Sequence, residues 1–125
     1  MTFVYDAAVL VAADRGERDA WADHRARLQL GTPPVTTAPV VAQVSRSARQ
    51  VQLRRFLRGC DVLSFGTDEA HAVGALLEKA TSSDVVDAHV VIVAARAGST
   101  IVTGDVRDIR RLSSALPAPV PVVAV

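Results

Sequence analysis

Short β-prone runs alternate with helical stretches from one end of the chain to the other, and this alternation restricts the fold more than any other feature. Thr2 to Tyr5 is the first strand-like run and stops at Asp6. Ala7 to Ala13 is small and apolar, Arg15-Gly16-Glu17 interrupts it, and helical spacing resumes from Glu17 to Leu30. Gly31-Thr32-Pro33-Pro34 ends that helix before a β-prone Val35-Thr36-Thr37. Pro39 suits the first turn of a third helix carrying Val40, Val41, Val44 and Ala48, and a further helical stretch runs to Arg58 with Gly59 as its C-cap. Asp61 to Phe65 is strand-like. Thr67 is placed to cap a helix from Asp68 to Lys79 that turns Ala70, Val73, Leu76 and Leu77 inward. Asp84 or Asp87 opens an apolar helix that reaches Ala97 and stops at Gly98. Thr100 to Thr103 is a strand, Val106 to Ser114 a short helix, and Val120 to Val125 a last strand. Strands separated by helices at this pitch predict a parallel sheet covered on both faces. With no linker or repeat in the way, residues 1–125 are expected to form one α/β domain.

Composition narrows the function. Fourteen basic and 13 acidic residues leave a formal charge of +1, which excludes a histone-like tail or an acidic solvating segment. One Trp, one Tyr and three Phe are few for a module that reads single strands on a platform of exposed rings. A single cysteine, Cys60, excludes an internal disulfide and a thiolate-rich zinc site, and is expected to be a small buried hydrophobe. The apolar runs are too short to span a bilayer, and Thr2 to Ala13 carries Asp6 with no basic residue ahead of it. The expectation is a soluble, cytoplasmic protein.

Ten of the 13 acids are Asp, and their placement carries the chemistry. Ligands of an open parallel sheet bind outside the carboxyl ends of its strands. Asp6 follows the first strand and Asp105 follows Thr100 to Thr103. Asp84 and Asp87 start the helix that feeds the latter strand, so that helix begins near the same edge. Clustered carboxylates resist joint ionisation unless compensated, and a hard cation such as Mg²⁺ or Mn²⁺ supplies the compensation. Phosphoryl transfer is the chemistry that uses such a site. Plainer roles are open to each acid as well: a strand-end cap for Asp6, favourable N-terminal helix charges for Asp84 and Asp87, a turn residue for Asp105.

The order Val4-Tyr5-Asp6, then Asp84-Val85-Val86-Asp87-Ala88, then Val102-Thr103-Gly104-Asp105 with Asp108-Ile109 resembles a PIN domain, and the small size resembles VapC-type toxins. The resemblance covers nearly the whole chain. It implies a three-layer α/β/α sandwich with a central, mainly parallel sheet. It further implies a Mg²⁺-dependent endoribonuclease acting on structured RNA, commonly transfer or ribosomal RNA, that dimerises and is silenced by a cognate VapB-like antitoxin. Asp6, Asp87 and Asp105 match the family's acids, with Asp84 and Asp108 as auxiliary acids for a second metal or for water. Gln43 departs from the pattern, standing where family members usually carry Glu. Its carbonyl still ligates a hard cation but brings no charge, which Asp84 is placed to restore. The alternative is a degenerate PIN domain that binds RNA or a protein partner without cutting.

Arg46 and Arg49, then Arg54 and Arg58, have helical spacing that suits a phosphate path toward the acids, or equally a solvated face or antitoxin edge. Arg107, Arg110 and Arg111 follow Asp105 closely and suit either RNA backbone or plain helix surface. Thr103, with Ser82 and Ser83, is placed to hold water or a phosphate oxygen. None of His24, His71 and His89 has the setting of a general base. A receiver-type phosphoacceptor site needs a late-strand Lys, and the only Lys is Lys79. Asp6-Ala7-Ala8 lacks the glycine spacing of a dinucleotide fold, and no phosphate-cradling Gly-Lys-Ser/Thr occurs.

Overall fold

The computed structural model describes residues 2–125. Five short strands, β1 (Phe3–Tyr5), β2 (Val35–Thr37), β3 (Asp61–Leu63), β4 (Thr100–Thr103) and β5 (Val122–Ala124), lie in one sheet in the order β3-β2-β1-β4-β5. Every pairing is parallel. Seven helices connect them: α1 (Ala7–Asp14), α2 (Arg18–Leu28), α3 (Ala38–Val44), α4 (Val51–Leu57), α5 (Thr67–Ala80), α6 (Val85–Ala97) and α7 (Val106–Ser113).

Parallel neighbours need crossover connections, which are right-handed in nearly all proteins. The strand order therefore sends α1 to α4 to one face and α5 to α7 to the other. Packing agrees, since α1 rests on α2, α3 and α4, whereas α5, α6 and α7 pack on one another. The result is the α/β/α sandwich. Its central strands are buried on both faces, which explains their unbroken apolar character: Val4, Tyr5, Ile101 and Val102 are all buried. α6 contributes about two almost wholly apolar turns, with Ala88, Val90, Val91 and Ala94 fully buried.

Between β1 and β4 the order reverses: β1 leads to the α1 face and β4 to the α7 face. Such a switch point opens a crevice at the carboxyl ends of the two strands. The register pairs Tyr5 with Val102, so the next residues, Asp6 and Thr103, emerge side by side at that crevice.

Several elements differ from expectation. α3 ends at Val44, leaving Ala48 outside it and both Arg46 and Arg49 in a loop rather than on a helix face. The cause is Gln50, whose Oε1 accepts from Arg46 N (2.6 Å) and Ser47 N (2.9 Å) while its Nε2 donates to Val44 O (3.0 Å) and Asp14 Oδ2 (3.1 Å). That side chain satisfies the backbone at the end of α3 and makes a non-helical turn favourable. Gly66, not Thr67, is the N-cap of α5, and Ala70 is exposed. The third strand covers only Asp61–Leu63 and the last only Val122–Ala124, both at the edges of the sheet.

Candidate active site

Asp6 is the N-cap of α1 and is only 6% exposed. Its Oδ1 accepts from Ala8 N at 2.9 Å, and its Oδ2 accepts from Gly104 N at 3.2 Å and from the Thr103 hydroxyl. Burial raises its pKa, and the hydrogen bonds from Thr103, Gly104 and the start of α1 oppose the rise. Thr103 is fully buried and does two things at once: it donates to Asp6 and accepts from Asp105 N at 2.9 Å. One hydroxyl thus ties the first acid to the loop that carries the third.

Asp105 caps α7, its Oδ1 accepting from Asp108 N at 3.2 Å, and both residues are exposed. Asp84 caps α6 in the same way, its Oδ1 accepting from Asp87 N at 2.9 Å. Asp87 sits in the first turn of α6, half-buried. Burial, then the charge and hydrogen bonding of Asp84, then the charges of Asp6 and Asp105, push the Asp87 carboxyl up to about 7. Asp108 is also raised, chiefly by its hydrogen bonding to Asp105 and that residue's charge. A small cavity of about 80 Å³ lies here, lined by Ser82, Asp84, Asp87, Asp108 and Arg111. The Arg111 guanidinium donates to the carbonyls of Ala80 (3.2 Å) and Thr81 (2.9 Å), which fixes it beside the acids.

The structure therefore brings Asp6, Asp84, Asp87, Asp105, Asp108 and Thr103 to one edge. Gln43 is exposed in the last turn of α3, and Arg49 and Arg107 are exposed. Arg46 is committed elsewhere, because its guanidinium donates to Ala42 O (2.7 Å) and Ser45 O (2.9 Å) and caps α3. Sequence inspection misses the part played by Gly104. A Cβ there would stand 2.5 Å from Ala8 Cβ, so glycine permits the β4–α7 turn to press against the start of α1. A Thr-Gly-Asp at the end of a strand is the signal that marks such a close approach.

The donor set fits the chemistry of a hard divalent cation: the oxygens on offer are carboxylate oxygens, and burial together with the neighbouring acids raises the Asp87 carboxyl to about 7. Among the described residues no three such side chains already converge at ligand distance. Asp6, Asp84 and Asp105 each spend one oxygen on a helix cap.

Residues 3–114 match the PIN domain family model. The chain belongs to the PIN domain family. Among curated proteins none matches it significantly by sequence. Solved structures share its fold. The Rickettsia felis VapBC2 complex, bound to a DNA fragment from its promoter, gives a TM-score of 0.69 at 18% identity, covering 100% of this chain and 99% of that one. A toxin–antitoxin complex from Klebsiella pneumoniae gives 0.69 at 18% identity over 96% and 94% of the two chains. PAE2754 from Pyrobaculum aerophilum gives 0.64 at 19% identity over 99% and 92%. PIN-domain membership agrees with the α/β/α fold. It also removes the receiver and dinucleotide alternatives. No helix among the described residues is long and apolar enough to cross a membrane.

Proposed function

We propose that this chain, as a single PIN domain, is a VapC-like toxin: a Mg²⁺- or Mn²⁺-dependent endoribonuclease of the cytoplasm that cuts structured RNA, acts as a homodimer and is neutralised by a VapB-like antitoxin. PIN domains are in general nucleases that use divalent ions. Fold neighbours named as VapBC and toxin–antitoxin complexes support the toxin assignment. The observation that carries the reading is the gathering of Asp6, Asp84, Asp87 and Asp105 at the switch point, where burial and the neighbouring acids raise the Asp87 carboxyl.

Asp6, Asp87 and Asp105 are the residues that would hold the ion, with Asp84 and the neutral carbonyl of Gln43 assisting. Bound there, the ion lowers the pKa of water and neutralises charge building on the phosphate oxygens. The protein's own part is positional. Thr103 holds Asp6 in one orientation and fixes the Asp105 loop against it. Asp108 is set to orient water, and Arg111 places a fixed positive charge next to the phosphate site. Arg49 and Arg107 are exposed for contact with RNA backbone, whereas Arg46 keeps a structural duty.

The test is incubation of purified, antitoxin-free protein with total structured RNA and Mg²⁺ or Mn²⁺, against EDTA and Asp6→Asn controls. Cutting that needs the metal and disappears in both controls is expected. Absence of cutting by folded protein would assign a binding role without cleavage, with the uncharged Gln43 as its cause.

A further inference from the structure

The first helical layer carries a second concave feature, of opposite charge to the acidic edge. It is a depression of about 390 Å³ between α2 and α4, walled by Arg18, Trp21 and Arg25 of α2 and by Gln52 and Arg55 of α4. Among the described residues no carboxylate lines it. The sequence of α2 explains this. Arg18, Ala22 and Arg25 are spaced i, i+4, i+7 and form one stripe, with the small Ala22 leaving room between two long side chains. Asp19 and Asp23 lie about 100° around the helix, where with Glu17 they line an adjoining hollow that Arg18 also borders.

Trp21 is held in place. Its indole N–H donates to Ala13 O at 3.0 Å, and its ring meets Phe56 edge-on at 5.2 Å. The half-buried ring stands at the depression, with the Arg55 guanidinium 5.9 Å from its centroid. The feature sits beyond the far end of α1 from Asp6, about 12 Å along that eight-residue helix at 1.5 Å per residue.

We infer that this depression is an RNA-backbone site apart from the acidic edge, with phosphates on Arg18, Arg25 and Arg55 and an unpaired base against Trp21. The inference rests on the ribonuclease reading only for the identity of the polyanion. Guanidinium forks match phosphate oxygens two at a time. An aromatic face accepts any unstacked base, and a side-chain amide such as Gln52 offers both a donor and an acceptor to a base edge. An acidic peptide would bury apolar anchors as well as charges, and Trp21 is the one large apolar surface that the described residues present here.

Trp21 is the only tryptophan of the chain, so its emission reports this depression and no other place. Unmodified protein in EDTA is titrated with oligouridylate at several salt concentrations, following Trp21 emission and filter retention together. Arg18→Gln/Arg25→Gln is compared with Lys79→Gln/Arg96→Gln, an equal charge loss on α5 and α6 of the opposite layer. A saturable change in emission is expected. The slope of log affinity against log salt should become shallower by about 1.4 in the first variant, at about 0.7 for each single-strand phosphate that is no longer neutralised. The control should keep the parental slope. Equal slopes in all three proteins, or RNA retention with no change in emission, would overturn the inference. So would polyglutamate perturbing Trp21 where oligouridylate of equal charge does not, which would make the depression a peptide site. Because EDTA keeps cleavage out of the measurement, the two readings separate. Arginine-dependent binding without metal-dependent cutting refutes the nuclease alone, and cutting with arginine-independent binding refutes this site alone.

Discussion

Asp87→Asn should make the metal-free protein more stable above neutral pH while destroying the site. Asp87 is raised from 3.8 to about 7 in the folded chain. A raised folded pKa means that the carboxyl costs nothing below about pH 3.8, where both states are protonated. The cost grows as pH rises and is complete above about pH 7, where folding must hold an ionised group against burial and Asp84. A shift of about 3 units corresponds to about 4 kcal/mol at full weight. Partial exposure screens the repulsion, and a first-turn carboxylate gains up to about 1 kcal/mol from the helix N-terminus. The net gain on substitution is therefore about 1–2 kcal/mol at pH 8, falling toward zero near pH 3.8. Urea denaturation in EDTA at pH 4, 6 and 8 measures it. A variant no more stable than its parent at pH 8 would refute the reasoning, because it would mean that burial and the neighbouring acids together place no cost on ionised Asp87.

Thr103→Val removes the donor to Asp6 and the acceptor for Asp105 N, and should cost about 1–3 kcal/mol in urea denaturation; Thr103→Ser should recover most of it. Gly104→Ala brings a Cβ to 2.5 Å from Ala8 Cβ and should cost about 1–3 kcal/mol. Adding Ala8→Gly should restore part of both stability and Mn²⁺ affinity measured by calorimetry. Mn²⁺ binding should release about half a proton at pH 7 and almost none at pH 9, as Asp87 gives up its proton; calorimetry in buffers of different ionisation enthalpy counts it. Burial, then Arg27, depresses His24 to about 4, so its contribution is whole above about pH 6.5 and is lost as pH falls toward 4. His24→Phe should flatten that acid limb, read as a smaller drop in melting temperature between pH 7 and 4.

The fold is readable because its elements announce themselves by period and punctuation. α6 is apolar all round since it packs between the sheet and two helices, and Gly98, at φ +62°, ends it where a left-handed residue is required. Spacing alone overextends α3, because Val40, Val41, Val44 and Ala48 keep a helical period. The residue that breaks the pattern, Gln50, acts through side-chain bonds to residues as distant as Asp14. Long-range bonds of that kind leave no local mark. The acids are legible for a geometric reason: each ends a strand or begins a helix, and parallel topology fixes which end. What α2 and α4 make together is not, although Arg18 and Arg25 show their common face, since nothing in either helix states that Arg55 and Trp21 will meet.

The capping roles and the proposed ligand roles of the acids are compatible. An ionised carboxylate offers about four lone-pair directions. Asp84 and Asp105 each give one oxygen to a backbone N–H and keep the other free of the cap. Asp6 is more heavily used, with three donors on its two oxygens, and still retains a direction. Capping fixes these side chains in advance, so little rotamer freedom is left to lose when a cation arrives. Asp87 is different. It caps nothing in the structure, carries the largest rise of the group, and lies between Asp84 and the other two acids in charge. A cation at this edge would therefore change Asp87 most, by ionising it, and Asp6 least, since its bonds already hold it in place.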